Sequence, residues 1–327
     1  MFRLLRPNSG WLTPARLAWR VIEQRLGRNR PLFATIVATD RCNVRCDGCV
    51  CHAALRDPAE RGNEDTARTL RLLAALAEDG VPAVTIAGGE PFLRGDLPVL
   101  LRYGRRVGLS LSLVTNAMKL TDEGLAAADE SCSAVCFSPH PPSELGGNRS
   151  EEKYVQAWEG FVRMRRHLHR PEVVCTITIG RHTVPMLDEI IRRALEIGAD
   201  QIEYQPNFFP DQFPSLTEVG KAAALIRRHS GEHPGKFPDP HVFLDRMERF
   251  FGDRPWVPCT ANRRFNVGVF PDGTVSACCS ARVPIGNLFE RPLRAMIDHE
   301  VEVRPDCFGC HRVDVIKALK LCGDRRK

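Results

Sequence analysis

Three closely spaced cysteines are the residues of this sequence best suited to chemistry. Cys42, Cys46 and Cys49 directly follow the apolar run Leu32–Ala38, which predicts a strand. Thiolates grouped in this way bind soft metal ions or iron–sulfur clusters. Three thiolates leave one iron of a [4Fe–4S] cluster without a protein ligand, so that iron can bind another molecule. Cysteines at these spacings also occur in structural zinc sites, so the spacing alone leaves zinc open.

A glycine pair with an acidic residue forms the second motif. Gly88, Gly89 and Glu90 follow the apolar run Ala83–Ala87, which predicts a second strand. Two glycines let backbone approach a ligand closely, and the Glu90 carboxylate can pair with an ammonium group. In isolation such a string is only a turn. Its position one β/α unit after the cysteine loop favours a shared site.

The cysteine triad, the Gly88-Gly89-Glu90-Pro91 string and their order resemble the radical S-adenosylmethionine (SAM) enzymes. The resemblance implies that Cys42, Cys46 and Cys49 hold a [4Fe–4S] cluster and that SAM binds its open iron. It further implies a set of cofactor-binding residues near SAM: Gly88, Gly89, Glu90, Asn116 and Ser138. Asn116 is followed by Ala117, where the family often has glycine.

Apolar strands and amphipathic helices alternate through residues 31–228. The predicted strands are Leu32–Ala38, Ala83–Ala87, Leu109–Val114, Ala134–Phe137, Val173–Ile179 and Gln201–Tyr204. The predicted helices are Thr66–Ala77, Leu97–Arg106, Asp122–Ala128, Glu151–Leu168, Met186–Ile197 and Leu216–Arg228. Six β/α units predict an α/β fold, a partial (β/α)6 TIM-like barrel whose functional loops follow the strands.

A second cysteine set follows a proline-rich bridge, residues 229–258. Residues 259–327 predict a small domain of a β-hairpin plus helix, which resembles the SPASM domain of radical SAM enzymes or its shorter twitch form. The resemblance implies a second, auxiliary [4Fe–4S] cluster on Cys259, Cys278, Cys307 and Cys310, with Cys279 or Cys322 as substitutes. A hairpin with a Cys-x2-Cys pair is also a zinc-ribbon pattern, and this alternative stays open.

Residues 1–30 predict an amphipathic basic helix. Its apolar residues share one face, and they are Leu17, Ala18, Val21, Ile22 and Leu26. We expect this face to dock on the barrel. Peripheral contact with a membrane surface is the alternative, because Trp11 and Trp19 suit an interface.

Composition limits the partners. Lys+Arg 46 against Asp+Glu 40 gives a net charge of +6, without a basic run interleaved with aromatic residues, so we predict no nucleic-acid partner. The 13 cysteines do not form a disulfide-like framework, and cluster ligands must stay reduced, which predicts a cytoplasmic protein. Cys132, Cys136 and Cys175 lie in or beside apolar runs and are expected to be core thiols.

The resemblance implies that an external donor such as flavodoxin or ferredoxin supplies an electron, SAM is cleaved reductively, and a 5′-deoxyadenosyl radical takes hydrogen from a substrate carbon. The short C-terminal segment favours oxidation of a small molecule, such as a sugar, cyclitol or lipid-derived alcohol. A SPASM-type maturase acting on a ribosomal peptide substrate is one alternative. A non-catalytic iron–sulfur or zinc-binding protein is another.

Overall fold

A computed structural model describes most of the barrel and part of the C-terminal segment. The described residues are 13–28, 30–46, 49, 64–142, 150–207, 209–238, 244–245, 247, 250–251, 265–278 and 283–297.

In the part of the chain that the structure describes, nine strands form one sheet with the order β6-β5-β4-β3-β2-β1-β7-β8-β9. The strands are β1 Phe33–Thr39, β2 Ala83–Gly88, β3 Ser110–Thr115, β4 Cys132–Phe137, β5 Glu172–Ile179, β6 Gln201–Pro206, β7 Asn266–Val269, β8 Thr274–Ser276 and β9 Pro284–Asn287. The helices are α1 Thr13–Arg25, α2 Thr66–Glu78, α3 Leu97–Arg106, α4 Asp122–Ser131, α5 Glu151–His167, α6 Leu187–Ile197 and α7 Leu216–Glu232. The predicted α/β fold with six β/α units is confirmed, and the sheet is open.

Polar caps and buried apolar faces explain these helices. Asp65, Thr121 and Ser150 each accept a hydrogen bond from a backbone N–H in the first turn of the helix that follows. Ser215 and Glu218 form a reciprocal capping box at the start of α7. The core fills the space between the helices and the sheet, and its largest side chains come from α5 and the strands.

Parallel register brings the ends of the first strands together. Thr39 at the end of β1 pairs with Gly88 at the end of β2, and Thr115 at the end of β3 pairs with Phe137 of β4. The loops that follow these strands therefore meet at one rim of the sheet.

The C-terminal hairpin continues the barrel sheet. Strand β7 runs parallel to β1, with Phe33 opposite Asn266, and β8 returns antiparallel to β7. The predicted hairpin is present, and β9 pairs with β8 as a further strand. After the hairpin, where a helix was predicted, the described residues contain a 3-10 turn at Leu293–Ala295, and residues from 298 onward lie outside the described ones. The division into domains stays a prediction.

Helix α1 docks on the barrel through a mixed face rather than through the predicted apolar one. Leu17 and Arg20 are buried, whereas Ile22 and Leu26 are 47% and 72% exposed. The guanidinium Nε of Arg20 donates to the carbonyl of Gly80 at 3.0 Å, in the turn between α2 and β2. Unsatisfied carbonyls at that turn favour a cation over an aliphatic side chain, so the polar face turns inward.

The outer face of α1 remains available to solvent. Arg16 also anchors the helix by donating to the carbonyl of Gly108 at 3.1 Å, while Trp19 is 57% exposed. Contact of this face with a membrane surface stays a prediction. Within the described residues, every helix falls short of the length and apolar character needed to cross a membrane.

Candidate cofactor site

A cavity opens at the rim where β1 to β4 end. It is lined by the thiols of Cys42, Cys46 and Cys49 and by several residues from the neighbouring loops, among them Gly88, Gly89, Asn116 and Ser138. The structure therefore brings together all the residues that the sequence assigned to the first cluster and to SAM, with one exception. Glu90 is fully buried beside the cavity and does not line it.

The thiol of Cys42 is a poor acid without a metal. Burial raises the pKa of Cys42 to about 11, although the backbone N–H of Val44 donates to its sulfur and acts in the opposite direction. A buried thiolate needs a nearby positive charge, and an iron centre supplies that charge. The donor set therefore fits a metal cofactor.

The glycine pair packs directly against the stem of the cysteine loop. A Cβ atom at Gly88 would lie 2.4 Å from the carbonyl oxygen of Thr39, and a Cβ atom at Gly89 would lie 2.0 Å from that of Arg41. The N–H groups of Gly89 and Glu90 donate to those same carbonyls at 2.7 and 2.8 Å. Gly88 also has a φ of 123°, which side chains rarely adopt. The glycines thus fix the cysteine loop against β2.

Glu90 joins the second loop of the rim to the third. Its carboxylate accepts hydrogen bonds from the hydroxyl of Thr115 at 2.7 Å, from the N–H of Asn116 at 2.7 Å and from the N–H of Phe92 at 3.2 Å. Burial nevertheless raises the pKa of Glu90 to about 7, against the opposing effect of these three hydrogen bonds. Its predicted contact with the amino group of SAM stays a prediction, and its observed role is positional.

Asn116 completes the link back to the cysteines. Its amide Nδ2 donates to Asn43 Oδ1 at 2.8 Å and lies 3.9 Å from the sulfur of Cys42. The next residue, Ala117, has a φ of 62°, in the left-handed region that favours glycine. Ala117 therefore has a backbone conformation that suits the glycine often found here in the family.

Ser138 reaches the rim through the same strand pairing. Its N–H donates to the carbonyl of Thr115 at 3.3 Å, and the residue lines the cavity together with His140. Two polar residues further along the rim, Thr178 and Gln205, bond to each other at 3.1 Å and do not line this cavity.

Sequence analysis missed two kinds of residue at this site. Arg94 is buried and donates to the carbonyl of Ala38 at 2.6 Å, which holds the end of β1 just before the cysteine loop. Lys153 and Tyr154, from the first turn of α5, form part of the cavity wall. A basic residue shortly after the glycine motif was a usable signal for Arg94. Nothing in the pattern of α5 distinguishes its cavity-facing residues from other helical positions.

The remaining cysteines divide into two groups. Cys132, Cys136 and Cys175 are buried core thiols, as predicted, and burial raises the pKa of both Cys132 and Cys175. In the second predicted set, Cys278 is half-buried two residues after the end of β8. Cys259, Cys307 and Cys310 lie outside the described residues.

Known proteins resemble this chain over most of its length. The Radical SAM superfamily matches residues 36–194. A PqqA peptide cyclase from Xanthomonas campestris pv. campestris is 32% identical over 332 residues, which cover 90% of this chain and 84% of the relative. A PqqA peptide cyclase from Rhodopseudomonas palustris is 32% identical over 275 residues, covering 78% of this chain and 69% of the relative.

Solved structures share the fold. SuiB of Streptococcus suis bound to the precursor peptide SuiA gives a TM-score of 0.64 at 15% identity, covering 86% of this chain and 69% of SuiB. The enzyme anSMEcpe with bound AdoMet gives 0.62 at 17% identity, covering 89% of this chain and 88% of that one. At these identities the likeness concerns the fold alone. The sequence relatives, the matched superfamily and the cysteine loop at the rim together establish that this chain belongs to the radical SAM superfamily.

Proposed function

We propose that this radical SAM enzyme modifies a ribosomally made peptide, with ring formation as the expected outcome. The observation that carries the proposal is the 32% identity to PqqA peptide cyclases over 90% of this chain and 84% of the relative. The fold of SuiB, which was solved with a precursor peptide, gives independent support that such a barrel accommodates a peptide.

The rim residues define the cofactor part of the proposal. Cys42, Cys46 and Cys49 would hold a [4Fe–4S] cluster, and Gly88 and Gly89 would border bound SAM. When bound, the cluster and SAM together would supply a 5′-deoxyadenosyl radical that removes hydrogen from the substrate. The task of the protein is to hold these loops in place and to exclude water, and Glu90 and Asn116 do so by joining three loops.

Oxidation of a small molecule is less well supported than modification of a peptide. The argument for small-molecule oxidation is the short C-terminal segment, whereas the sequence relatives with high coverage are named for a peptide substrate. A sugar, cyclitol or alcohol substrate therefore becomes the second candidate.

The auxiliary cluster is the other part of the proposal. Cys278 follows β8 at the open end of the hairpin, which is the end of the sheet away from the rim. It would share a second [4Fe–4S] cluster with Cys259, Cys307 and Cys310. An external flavodoxin or ferredoxin would supply electrons in the cytoplasm. A zinc ion at the same cysteines is the competing occupant.

Iron counting tests the cofactor part. After anaerobic reconstitution, two cubanes predict about eight iron atoms per chain, falling to about four in the triple variant Cys42→Ala, Cys46→Ala, Cys49→Ala. The core variant Cys175→Ala serves as the matched control and should keep the full count. About four atoms falling to nearly none, with zinc retained, would assign zinc to the C-terminal cysteines.

Substrate-dependent cleavage of SAM tests the peptide part. Peptides encoded beside the gene, each with a shuffled control, are incubated with reduced enzyme and SAM, and 5′-deoxyadenosine and peptide mass are measured. We expect one peptide to stimulate cleavage and to lose a pair of hydrogen atoms. Stimulation by small alcohols and by none of the peptides would reject the proposal in favour of small-molecule oxidation.

A further inference from the structure

Two histidines and a glutamate meet at the last turn of α7, away from the cofactor cavity. His229, Glu232 and His233 are spaced at i, i+3 and i+4, so their side chains share one face of the helix. One ligand atom from each lies within 4.8 Å of the others. The two imidazole rings are nearly parallel, with centroids 6.2 Å apart.

His229 makes the contacts that are typical of a buried histidine metal ligand. Its side chain is only 4% exposed, and its Nε2 lies 2.7 Å from a carboxylate oxygen of Asp188. The Asp188 carboxylate also accepts hydrogen bonds from Arg192 Nε at 3.1 Å and from Arg228 Nη2 at 2.7 Å, so it has three N–H neighbours. A carboxylate at one ring nitrogen fixes the proton there and leaves the other nitrogen as a lone-pair donor, as in many histidine metal sites.

The second ring nitrogen of His229 is the unexplained atom. Nδ1 is buried and has no hydrogen-bond partner among the residues that the structure describes. Oε2 of Glu232 lies 3.6 Å from this nitrogen, which is longer than a hydrogen bond but close to the separation of two ligand atoms on one ion. The other carboxylate oxygen of Glu232 lies 3.8 Å from Arg228, so Oε2 is the oxygen directed at the imidazole.

We propose that His229, Glu232 and His233 bind a divalent first-row transition metal ion, with zinc as the expected occupant. Two imidazole nitrogens and one carboxylate oxygen form a donor set that zinc accepts, with water in the fourth position. The C-terminal end of a helix carries partial negative charge, which further favours a cation there. The site uses none of the residues of the cofactor cavity and does not depend on the peptide proposal.

Zinc binding to the cluster-reconstituted protein tests the proposal. Under anaerobic conditions, zinc is titrated into wild type, His233→Ala and Glu232→Gln, with stoichiometry from equilibrium dialysis and affinity from calorimetry. His233 and Glu232 are exposed, so their replacement should leave the fold intact. The matched control is His169→Ala, an exposed histidine outside the cluster.

We expect wild type and His169→Ala to bind one zinc ion more tightly than the two cluster variants by at least about 10- to 100-fold, the range lost when even an outer partner of a metal ligand is removed. The zinc absorption edge of wild type and of His169→Ala should show imidazole in the coordination shell. Equal affinity and stoichiometry in all four proteins, or a shell of sulfur alone, would overturn the proposal. In that case His229 would only form ion pairs with Asp188 and Glu232.

Discussion

Replacement of Gly89 by alanine tests whether the glycine motif supports the cysteine loop. The added Cβ would lie 2.0 Å from the carbonyl oxygen of Arg41 and 2.6 Å from its carbonyl carbon, and both are backbone atoms. A Cβ atom needs at least about 3 Å from such an oxygen, so the two segments must separate by about 1 Å.

That separation would lengthen two hydrogen bonds between the segments. The N–H of Gly89 to the carbonyl of Thr39 and the N–H of Glu90 to the carbonyl of Arg41 span 2.7 and 2.8 Å, and an added ~1 Å takes both beyond bonding distance. At about 0.5–1.5 kcal/mol each, their loss costs about 1–3 kcal/mol of folding free energy. It also displaces the stem that carries Cys42.

Iron content after anaerobic reconstitution is the assay, with SAM binding measured on the same samples. We expect Gly89→Ala to retain fewer iron atoms per chain than wild type and to bind SAM weakly. Gly95→Ala is the matched control, because a Cβ atom there would have no neighbour within 4 Å. Wild-type iron with SAM binding alone abolished would refute the packing argument and assign Gly89 to the ligand.

Three further predictions concern the contacts around the rim. Because burial raises the pKa of Glu90 from 4.5 to about 7, its stabilising contribution is present below pH 4.5 and is lost as the pH rises through 7. Between pH 5 and 8, the free energy of unfolding of wild type should fall by up to about 3 kcal/mol relative to that of Glu90→Gln. Urea unfolding of cluster-free protein measures this, and parallel pH profiles of the two proteins would contradict it. Gly160→Ala would place a Cβ atom 1.8 Å from the carbonyl oxygen of Ala117 and should lower both stability and iron content. The control is Gly220→Ala, whose added Cβ atom would have no neighbour within 4 Å and which should raise the melting temperature slightly. Arg94→Met should cost about 2 kcal/mol or more in thermal unfolding and reduce iron retention, since it removes charge-assisted hydrogen bonds, and an unchanged iron count would show that Arg94 does not hold the loop.

Local patterns in the sequence were sufficient for the strands and for the first motif. Apolar runs bounded by polar residues placed β1 to β6 within two residues at either end, because a buried parallel strand needs a continuous apolar run. Cysteine spacing after a strand indicated the cofactor, since three thiols in one short loop are close enough together to bind one cluster. These are properties of neighbouring residues.

Contacts between distant segments were not predictable in the same way. The partners of Glu90 come from β3, and no local pattern shows that its carboxylate turns toward Thr115 and Asn116. The docking face of α1 was predicted wrongly for a related reason. Arg20 is buried only because a turn 60 residues away presents a carbonyl to it, and helical periodicity contains no information about that turn.

The pairing of β7 with β1 has a consequence for experiments that truncate the chain. In a sheet of β1 to β6 alone, β1 would be an outermost strand with its N–H and C=O groups unpaired, and such strands associate with other chains. With the hairpin in place, β1 lies in the interior, and the sheet ends instead at β6 and at the four-residue β9. Removal of the C-terminal segment would therefore promote aggregation and disturb the cysteine loop, whether or not that segment binds a metal. Single cysteine substitutions are the informative way to test the metal site proposed there.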